Sequence, residues 1–473
     1  MPTIDLKDLG PCLKAYRIYC GIENARTIES TLNDNARTLG IHSIRDLEEG
    51  RVGGRFTLAE VKNLLAAYNM SELMVDHLLV SEDSPYIVRQ VIGGFDPHPA
   101  TKHFESNAKY FIPQRLLRPA PHLDQPFPHA FFVRVVLSQT GDKSERHDHP
   151  GDELTLCRRG MVRMSWERLG IHAELNPGDY VHFHADQEHV ATNIGPGEAE
   201  LFVIRNYMIA GGGPRRKLYR DAQTFDRALL RGRKNASTLR GIYKEGIGRW
   251  INQILRSRDA EPDMTATVQD PVGLARQLER MGWYGRKLHR KAKQLFGDAA
   301  FPLARYEEIM AGFFKNPVTK SDLDHLAGVC KVPPVLLYPF MFPRTPGFCV
   351  IRFDDDFLDL PGIESNKAAH VRYRYPRQNL ADSGLTISRL DLSTRFPCPE
   401  NRHFGTELCI PIAGNGLRVD LDVPKGKNEG QGLKRVFDVA TEKEYFHYVS
   451  GYPHWVTNYG KDRASVLVVR FFE

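Results

Sequence analysis

The hydrophobic pattern of the chain changes its period twice, in the same order. Residues 9–80 carry apolar positions at helical spacing, interrupted by glycines, and residues 128–207 then alternate in short runs such as AFFVRVVL and ELFVIRNY. Residues 274–340 return to helical spacing, and residues 385–472 alternate again. Helical spacing predicts helices, whereas short alternating runs between turns predict the strands of a sandwich or barrel. We therefore expect an α+β fold in which a small helical domain followed by a jelly-roll β-barrel occurs twice.

Single residues also recur at fixed offsets, as expected of a duplication. Residues of the first motif recur 254 positions later, and residues of the second motif recur 265 positions later. The matching pairs are His149 and His403, Glu153 and Glu407, Gly160 and Gly414, His189 and His454, and Asn193 and Asn458. The constant order predicts that one module was copied and that both copies share one fold.

The changes of pattern divide the chain into five predicted segments. They are a helical domain over 1–95, a first barrel over 96–208, a basic helical linker over 209–270, a second helical domain over 271–345 and a second barrel over 346–473. Within the linker, residues 215–258 carry 13 Lys and Arg against three acidic residues. We interpret this charge as the solvated face of a bridging helix rather than a surface for an anion or a nucleic acid.

Each helical domain contains a helix, a turn and a second helix. In the first domain the segment IRDLEEGRVGGRFTLAEVKNLLAAYNM has this pattern, and in the second the pattern ends in KVPPVLLYPF. The arrangement resembles the small helix-turn-helix domain of repressors, with an enlarged first loop. However, the candidate recognition segment IHSIRDLEEGRVG carries Asp46, Glu48 and Glu49, which suit a phosphate backbone poorly. We therefore do not expect a nucleic-acid partner.

The composition is that of an ordinary globular protein. Apolar residues make up 41% and charged residues 26% of the 473 positions, and the net charge of +6 is too small to require a nucleic-acid partner. The seven cysteines include no CxxC pair, which favours a reducing compartment over a disulfide framework. The segment MPTIDLKDLG lacks a signal-peptide pattern, and no apolar run reaches the ~18 residues that span a bilayer. We expect a cytoplasmic protein without a membrane partner.

The strongest chemical signal lies in two segments of the first barrel. GDKSERHDHPGDELTLCRRG contains His149 and Glu153, and NPGDYVHFHADQEHVATN contains His189. Alternate side chains of a strand share a face, and a neighbouring strand can bring a third side chain alongside. Two imidazoles and one carboxylate on one side of a cation form the facial triad of non-haem iron(II) oxygenases, which leaves three positions open. We predict one iron(II) ion on His149, Glu153 and His189, with His147 as a candidate extra ligand.

These segments match both signature motifs of the cupins. The duplicated layout resembles the helix-turn-helix/cupin phosphonate oxygenases, the group that comprises 2-hydroxyethylphosphonate dioxygenase, methylphosphonate synthase and hydroxypropylphosphonate epoxidase. The resemblance implies a non-haem iron dioxygenase that uses iron(II) and O2 on a small hydroxyalkyl phosphonate such as 2-hydroxyethylphosphonate. It implies oxidative C–C bond cleavage to hydroxymethylphosphonate or methylphosphonate.

The chain departs from members of this group at the carboxylate ligand. Methylphosphonate synthases are expected to have Gln where this chain has Glu153. The dioxygenase takes its Glu from the second motif, so the placement of Glu153 is most similar to that in the epoxidase. The sequence therefore leaves the substrate within the phosphonates open.

The second barrel keeps part of the same motif. His403, Glu407 and His454 recur there, while Asn401 replaces the first histidine. One interpretation is a second metal site on His403, Glu407 and His454. The alternative is an inherited shell in which these histidines only pack.

Five residues are candidates for substrate binding, because a phosphonate dianion requires fixed positive charge and hydrogen-bond donors. They are Lys14, Arg17, Tyr110, Arg115 and Arg205. The resemblance implies that a lysine from the first helical domain, matched here by Lys14, reaches a neighbouring active site, which requires a homo-oligomer. Arg17 is the alternate, and both have a simpler interpretation as surface charges of a helix. Arg205 lies on the last strand of the barrel, and alternation alone does not decide whether it points inward.

Three other functions remain open at this stage. A transcription regulator would use the helix-turn-helix domains on DNA and the barrels as sensors. A manganese bicupin acting on a small carboxylate would use His147 as a fourth ligand and explain two intact sites. A sugar-isomerase-like or storage cupin would leave the helical domains unexplained.

Overall fold

The computed structural model describes twenty-two segments of the chain. They are residues 3–19, 25–29, 39–68, 70, 72–82, 87–91, 95–99, 106–116, 130–149, 151–167, 170–185, 187–206, 267–312, 314–342, 344–345, 348–359, 370–380, 383, 385–403, 405–423, 433–439 and 444–471. The predicted basic linker lies outside the described residues except for its last four positions.

Helices occupy the starts of both halves, as the helical spacing predicts. The α-helices are α1 (Leu6–Tyr19), α2 (Arg26–Glu29), α3 (Ile44–Glu48), α4 (Leu58–Ala67), α5 (Pro271–Arg280), α6 (Gly285–Phe296), α7 (Leu303–Met310) and α8 (Lys320–Cys330). Short 3-10 helices cover Glu72–Leu79, Gly297–Ala299, Pro334–Leu336 and Tyr338–Met341. Helices α4 and α8 each begin at a capping box, formed by Thr57 with Glu60 and by Thr319 with Asp322, which satisfies backbone N–H groups that the first turn leaves open.

Most strands follow the helices in each half, and the larger sheets that they form build the two barrels. The first half contains β1 (Thr3–Asp5), β2 (Arg55–Thr57), β3 (Ser81–Glu82), β4 (Ile87–Val91), β5 (Asp96–Pro97), β6 (Lys109–Ile112), β7 (Arg115–Leu116), β8 (Phe131–Leu137), β9 (Asp152–Arg159), β10 (Val162–Trp166), β11 (Ile171–Leu175), β12 (Tyr180–His184), β13 (Val190–Asn193) and β14 (Ala199–Asn206). The second contains β15 (Arg344–Thr345), β16 (Phe348–Ile351), β17 (Phe357–Asp359), β18 (Val371–Pro376), β19 (Asn379–Leu380), β20 (Leu385–Leu392), β21 (Thr406–Ala413), β22 (Leu417–Val423), β23 (Leu433–Val439), β24 (Glu444–Val449), β25 (His454–Asn458) and β26 (Ala464–Phe471).

Each barrel combines one sheet of seven strands with one of three. In the first barrel the orders are β16-β12-β9-β14-β8-β6-β5 and β11-β10-β13. In the second they are β17-β18-β20-β26-β21-β24-β4 and β23-β22-β25. All neighbours in these four sheets are antiparallel. The predicted mixture of helices and antiparallel β-sheets is therefore confirmed, while the helix-turn-helix assignment and the domain boundaries stay predictions.

The two halves exchange strands at the edges of their large sheets. Strand β16 from the second half pairs with β12 of the first barrel, with Tyr180 opposite Ile351. Strand β4 from the first half pairs with β24 of the second barrel, with Val91 opposite Glu444. Each barrel thus covers an otherwise open sheet edge with a strand from the other half, and unpaired edges are sites of aggregation.

An aromatic cluster fills the space between the large sheets of the two barrels. The ring of Phe132 stacks on Phe202 at 5.9 Å and meets Tyr445 of the second barrel edge-on at 5.3 Å. These three side chains are almost fully buried and belong to one apolar cluster with residues of both halves. Burial of apolar surface at about 25 cal/mol per Å² therefore holds the barrels together in addition to the exchanged strands.

The glycines that close the first motif of each barrel allow a close approach of the backbone. Gly160 has φ +76°, and a Cβ placed on it would lie 2.7 Å from the Cα of Ala199. In the second barrel Gly414 has φ +87°, and a Cβ on it would lie 2.8 Å from the Cα of Ala464. These distances are shorter than any van der Waals contact, so the recurring glycine has a structural reason in both copies.

The variant Gly160→Ala is expected to unfold at a markedly lower temperature than the wild type. A left-handed backbone costs an L-residue roughly 1–2 kcal/mol, and the contact with Ala199 adds to that cost. Gly197 is the matched control, because it has φ +91° but open space around the added methyl group. Thermal unfolding should show a larger loss for Gly160→Ala than for Gly197→Ala, and equal losses would exclude the proposed contact.

In the part of the chain that the structure describes, no helix combines the length and the apolar character needed to cross a bilayer.

Candidate metal centre

Strand pairing in the first barrel places the predicted ligands side by side. Glu153 is the second residue of β9 and lies opposite Phe183 on β12 and Arg205 on β14. His149 precedes β9, and a backbone bridge pairs His147 with His189 just before β13. The site is therefore built from three stretches of the chain that are held together by the backbone ladder.

The donor atoms of these side chains converge in the interior of the protein. The Nε2 atom of His149 lies 3.0 Å from Oε2 of Glu153, and Nε2 of His189 lies 3.6 Å from the same oxygen. One donor atom from each of His147, His149, Glu153 and His189 lies within 4.8 Å of all the others. The structure thus brings together the three predicted ligands and the candidate extra ligand.

Hydrogen bonds to the backbone fix the orientation of His189. Its Nδ1–H donates to the carbonyl of Gln187 at 2.9 Å, so the lone pair of its neutral ring is on Nε2. That Nε2 atom is buried and has no hydrogen-bond partner among the described residues. A buried acceptor left without a partner costs about 1–3 kcal/mol, and a metal ion in the cluster would use this lone pair. The donor set and this atom therefore fit a divalent cation.

Two side chains hold the carboxylate of Glu153 in place. The hydroxyl of Thr155, two residues further along β9 on the same face, donates to Oε1 at 2.7 Å. The guanidinium of Arg205 lies 3.4 Å from Oε2, the oxygen that faces the imidazoles. Oε1 is thereby anchored, and Oε2 points towards the cluster.

His147 has a partner of its own within the cluster. Its Nδ1–H donates to the carbonyl of Glu145 at 3.0 Å, and its Nε2 accepts a hydrogen bond from Nη2 of Arg205 at 3.2 Å. Its ring centre lies 4.5 Å from that of His189. The lone pair that could ligate a metal is therefore the one that Arg205 contacts.

A buried acidic residue from the helical segment completes this network. Asp76, within the 3-10 helix Glu72–Leu79, lies 3.7 Å from Arg205 as an ion pair and 2.6 Å from the Nε2 atom of His98. The side chains of Asp76 and His98 are fully buried. Sequence analysis missed both residues, because they lie more than 40 positions before the motif and in no recognisable spacing with it.

Electrostatics keep the cluster in a state that suits a cation. Burial raises the pKa of Glu153, but the interaction with His189, the hydrogen bond with His149 and the charge of Arg205 together outweigh burial and hold that pKa well below its usual range. Burial lowers the pKa of His149, and it lowers that of His147 further together with the nearby His189 and Arg205. At neutral pH the carboxylate is charged and these two imidazoles are neutral, which are the forms that bind metal.

The five candidate substrate residues are placed differently from one another. Arg205 lies in the cluster, whereas Arg17 forms a buried bidentate ion pair with Glu48 through Nε and Nη2, both at 2.6 Å. Tyr110 is buried, and its hydroxyl oxygen accepts a hydrogen bond from the backbone N–H of Glu145. Lys14 is half-buried on α1, and Arg115 is exposed on β7. For Arg17 this pairing favours a structural role, and the assignments of Lys14, Tyr110 and Arg115 stay predictions.

The second barrel brings its own three residues together. One donor atom from each of His403, Glu407 and His454 lies within 4.8 Å of the other two. Asn401 holds the backbone position that His147 has in the first barrel, because Asn401 bridges to His454 as His147 does to His189.

Comparisons with known proteins place the first site within a cupin domain. The family described as "Cupin domain" matches residues 134–205, the stretch that carries all four residues of the first cluster. No curated protein matches the chain by sequence. This part of the chain is therefore a cupin domain that contains a group of residues able to hold a metal ion.

Several solved structures are similar to the chain at low identity. Streptomyces albus HEPD, with 2-hydroxyethylphosphonate and Fe(II) bound, is 14% identical with a TM-score of 0.38, over 98% of this chain and 93% of that chain. Native PhpD with cadmium atoms is 12% identical with a TM-score of 0.37, over 99% of this chain and 93% of that chain. A mutant of Bacillus subtilis oxalate decarboxylase OxdC is 11% identical with a TM-score of 0.36, over 81% and 77%.

Proposed function

We propose that the protein is a non-haem iron(II)-dependent oxygenase that acts on a small hydroxyalkyl phosphonate such as 2-hydroxyethylphosphonate. The reaction would be an oxidative C–C cleavage to hydroxymethylphosphonate or methylphosphonate. One observation carries the proposal: two imidazoles and one carboxylate converge on one side of a buried point in a cupin barrel. This donor set is typical of non-haem iron(II) oxygenases and leaves positions open for substrate and O2.

The contacts of each residue indicate whether it would bind the metal or orient a ligand. His149, Glu153 and His189 would hold the iron, which when bound activates O2 and binds the substrate oxygens. Thr155 and Arg205 keep Glu153 ionised and oriented, so that Oε2 faces the imidazoles. The burial of His149, Glu153 and His189 keeps bulk water away from these side chains and strengthens the charge interactions between them.

Arg205 is the candidate that best supports an anionic substrate. Its side chain is 1% exposed and lies against both Glu153 and His147, so its positive charge is fixed at the cluster. A phosphonate oxygen that approaches the metal would meet this charge, which favours an anion over a neutral alcohol.

His147 supports a second candidate function, a manganese enzyme that acts on a small carboxylate. Its Nε2 atom belongs to the same cluster as the other three donors. If His147 ligates, three imidazoles and one carboxylate hold the ion, and two positions stay open. In the main proposal Arg205 keeps the lone pair of His147, and the ion has three protein ligands.

Anaerobic reconstitution of the purified chain with Fe(II), followed by O2 and 2-hydroxyethylphosphonate, tests the proposal. We expect a new phosphorus NMR resonance that requires both Fe(II) and O2, and none with Mn(II). An Mn(II)-loaded protein that releases CO2 from a dicarboxylate would favour the second candidate. The absence of any O2-dependent change in a panel of hydroxyalkyl phosphonates would contradict the main proposal.

The variant His147→Asn separates the two candidates within one barrel. Asparagine stands at the equivalent register position of the second barrel, as Asn401, so the backbone there accepts this side chain. With three ligands the variant should keep its iron and turnover within a few-fold. A loss of metal would instead identify His147 as a ligand.

A further inference from the structure

We infer that the second barrel holds a divalent transition-metal ion of its own, bound by His403, Glu407 and His454. The Nε2 atom of His403 lies 3.0 Å from Oε2 of Glu407, and Nε2 of His454 lies 3.9 Å from the same oxygen. All three side chains are at most 4% exposed. The inference concerns a separate site and does not depend on the reaction proposed for the first barrel.

The orientation of His454 points to a cation at this place. Its Nδ1–H donates to the carbonyl of Tyr452 at 2.9 Å, which leaves the lone pair of the neutral ring on Nε2. That Nε2 atom is buried and finds no hydrogen-bond partner among the described residues. The same backbone bond and the same unpartnered atom occur at His189 in the first barrel. If these histidines only packed, a buried nitrogen lone pair would not be expected to face a carboxylate oxygen without a hydrogen between them.

The carboxylate of Glu407 is held in the same way as Glu153, but by different residues. In the first barrel the hydroxyl of Thr155 anchors Oε1, whereas in the second barrel Cys409 stands at that position. There the hydroxyl of Tyr448 donates to Oε1 of Glu407 from the neighbouring strand β24. The residues that anchor Oε1 differ between the two barrels, but Oε2 again faces two imidazoles.

Arg470 leaves room for a cation beside Glu407. Its Nε atom lies 2.9 Å from Oε2, and its Nη1 donates to the hydroxyl of Ser388 at 2.8 Å. An ionised carboxylate has about four lone-pair directions: Tyr448 and Cys409 donate to Oε1, Arg470 contacts Oε2, and His403 faces the remaining direction of Oε2 at 3.0 Å. A cation can therefore bind Oε2 from the side of His403 and His454.

The chemistry of the donors defines the class of metal and distinguishes the two sites. Two imidazoles and one carboxylate suit first-row divalent ions such as Fe(II), Mn(II), Co(II) or Zn(II), rather than the oxygen-only sites of Mg(II) or Ca(II). Asn401 replaces the imidazole of His147 and donates through Nδ2 to the hydroxyl of Tyr373 at 3.2 Å. Among the described residues, the second cluster therefore consists of three metal-binding side chains, without a counterpart of the imidazole of His147.

The number of ions bound per chain tests the inference. Full-length protein titrated with Mn(II) under argon, with free ion measured by EPR and bound metal by mass spectrometry, should bind two ions. His189→Ala and His454→Ala should each bind one, and the double variant none. The control His447→Gln changes a buried histidine of the same barrel that is bonded to Thr406 at 3.0 Å, outside the cluster, and should bind two.

Each outcome decides for or against the second site. One ion in the wild type together with none in His189→Ala overturns the inference and leaves the first site intact. Two ions in His454→Ala also overturn it, because the second ion then lies elsewhere. If His454→Ala does not fold, His189→Ala decides alone: one bound ion supports the second barrel, and none excludes it.

Discussion

The variant His189→Ala is expected to lose the metal of the first barrel and at least about a thousandfold in turnover. His189 is the only ligand from the second motif, and its Nε2 lone pair has no other partner in the described residues. A metal that polarises its ligands supplies several kcal/mol of transition-state stabilisation, and about 4 kcal/mol corresponds to roughly a thousandfold in rate. Metal analysis together with phosphorus NMR of the reaction would measure both losses.

A neighbouring histidine gives the matched control for this variant. His184 ends strand β12 and bonds through Nδ1 to Asp152 at 2.8 Å, so it lies near the cluster but outside it. His184→Gln should keep the metal and most of the turnover. A His189→Ala protein that retains its first-barrel metal at wild-type affinity would refute the assignment of this ligand.

Loss of Arg205 is expected to cause the largest loss of stability. The side chains of Asp76 and Glu153 are both buried and both lie within 4 Å of its guanidinium. Removing one partner from a buried ion pair costs about 3–5 kcal/mol, because the remaining charge is left uncompensated. Arg205→Leu should therefore unfold at a much lower temperature than wild type when both proteins are metal-free.

Two comparisons make the result for Arg205 specific. Arg134 pairs with Glu200 in a partly exposed position, where side-chain exposures are 16% and 15%, and Arg134→Leu should cost about 1 kcal/mol or less. Adding metal should restore part of the stability of Arg205→Leu, because a cation near Glu153 replaces some of the missing charge. Equal unfolding temperatures for Arg205→Leu and wild type would contradict the role of the buried network.

The sequence was sufficient to predict which parts of the chain form helices and which form strands. Helical spacing and alternation depend on near neighbours, so the change from helices to antiparallel strands could be predicted in both halves. The exchange of β4 and β16 could not, because alternation in a strand does not specify which sheet edge it will join. Pairing partners hundreds of residues apart are set by the packing of the whole molecule.

In the candidate site, too, contacts within the two motifs could be predicted, whereas contacts with residues far away in the sequence could not. The motif around His149 and Glu153 and the later His189 could be placed near each other from strand geometry alone. The contact between Asp76 and Arg205 could not be predicted, because it joins a helical segment to the last strand of the barrel. Alternation also left open the direction of Arg205, which the structure places inside the cluster.

The exchange of strands has a consequence for synthesis on the ribosome. Strand β4 leaves the exit tunnel about 350 residues before its partner β24, and translation at about 5–20 residues per second makes that interval roughly 20–70 seconds. The first barrel likewise waits for β16 to complete its large sheet. The nascent N-terminal half therefore carries an unsatisfied backbone edge for most of its production, so chaperone access during translation and the spacing of neighbouring ribosomes bear directly on its yield.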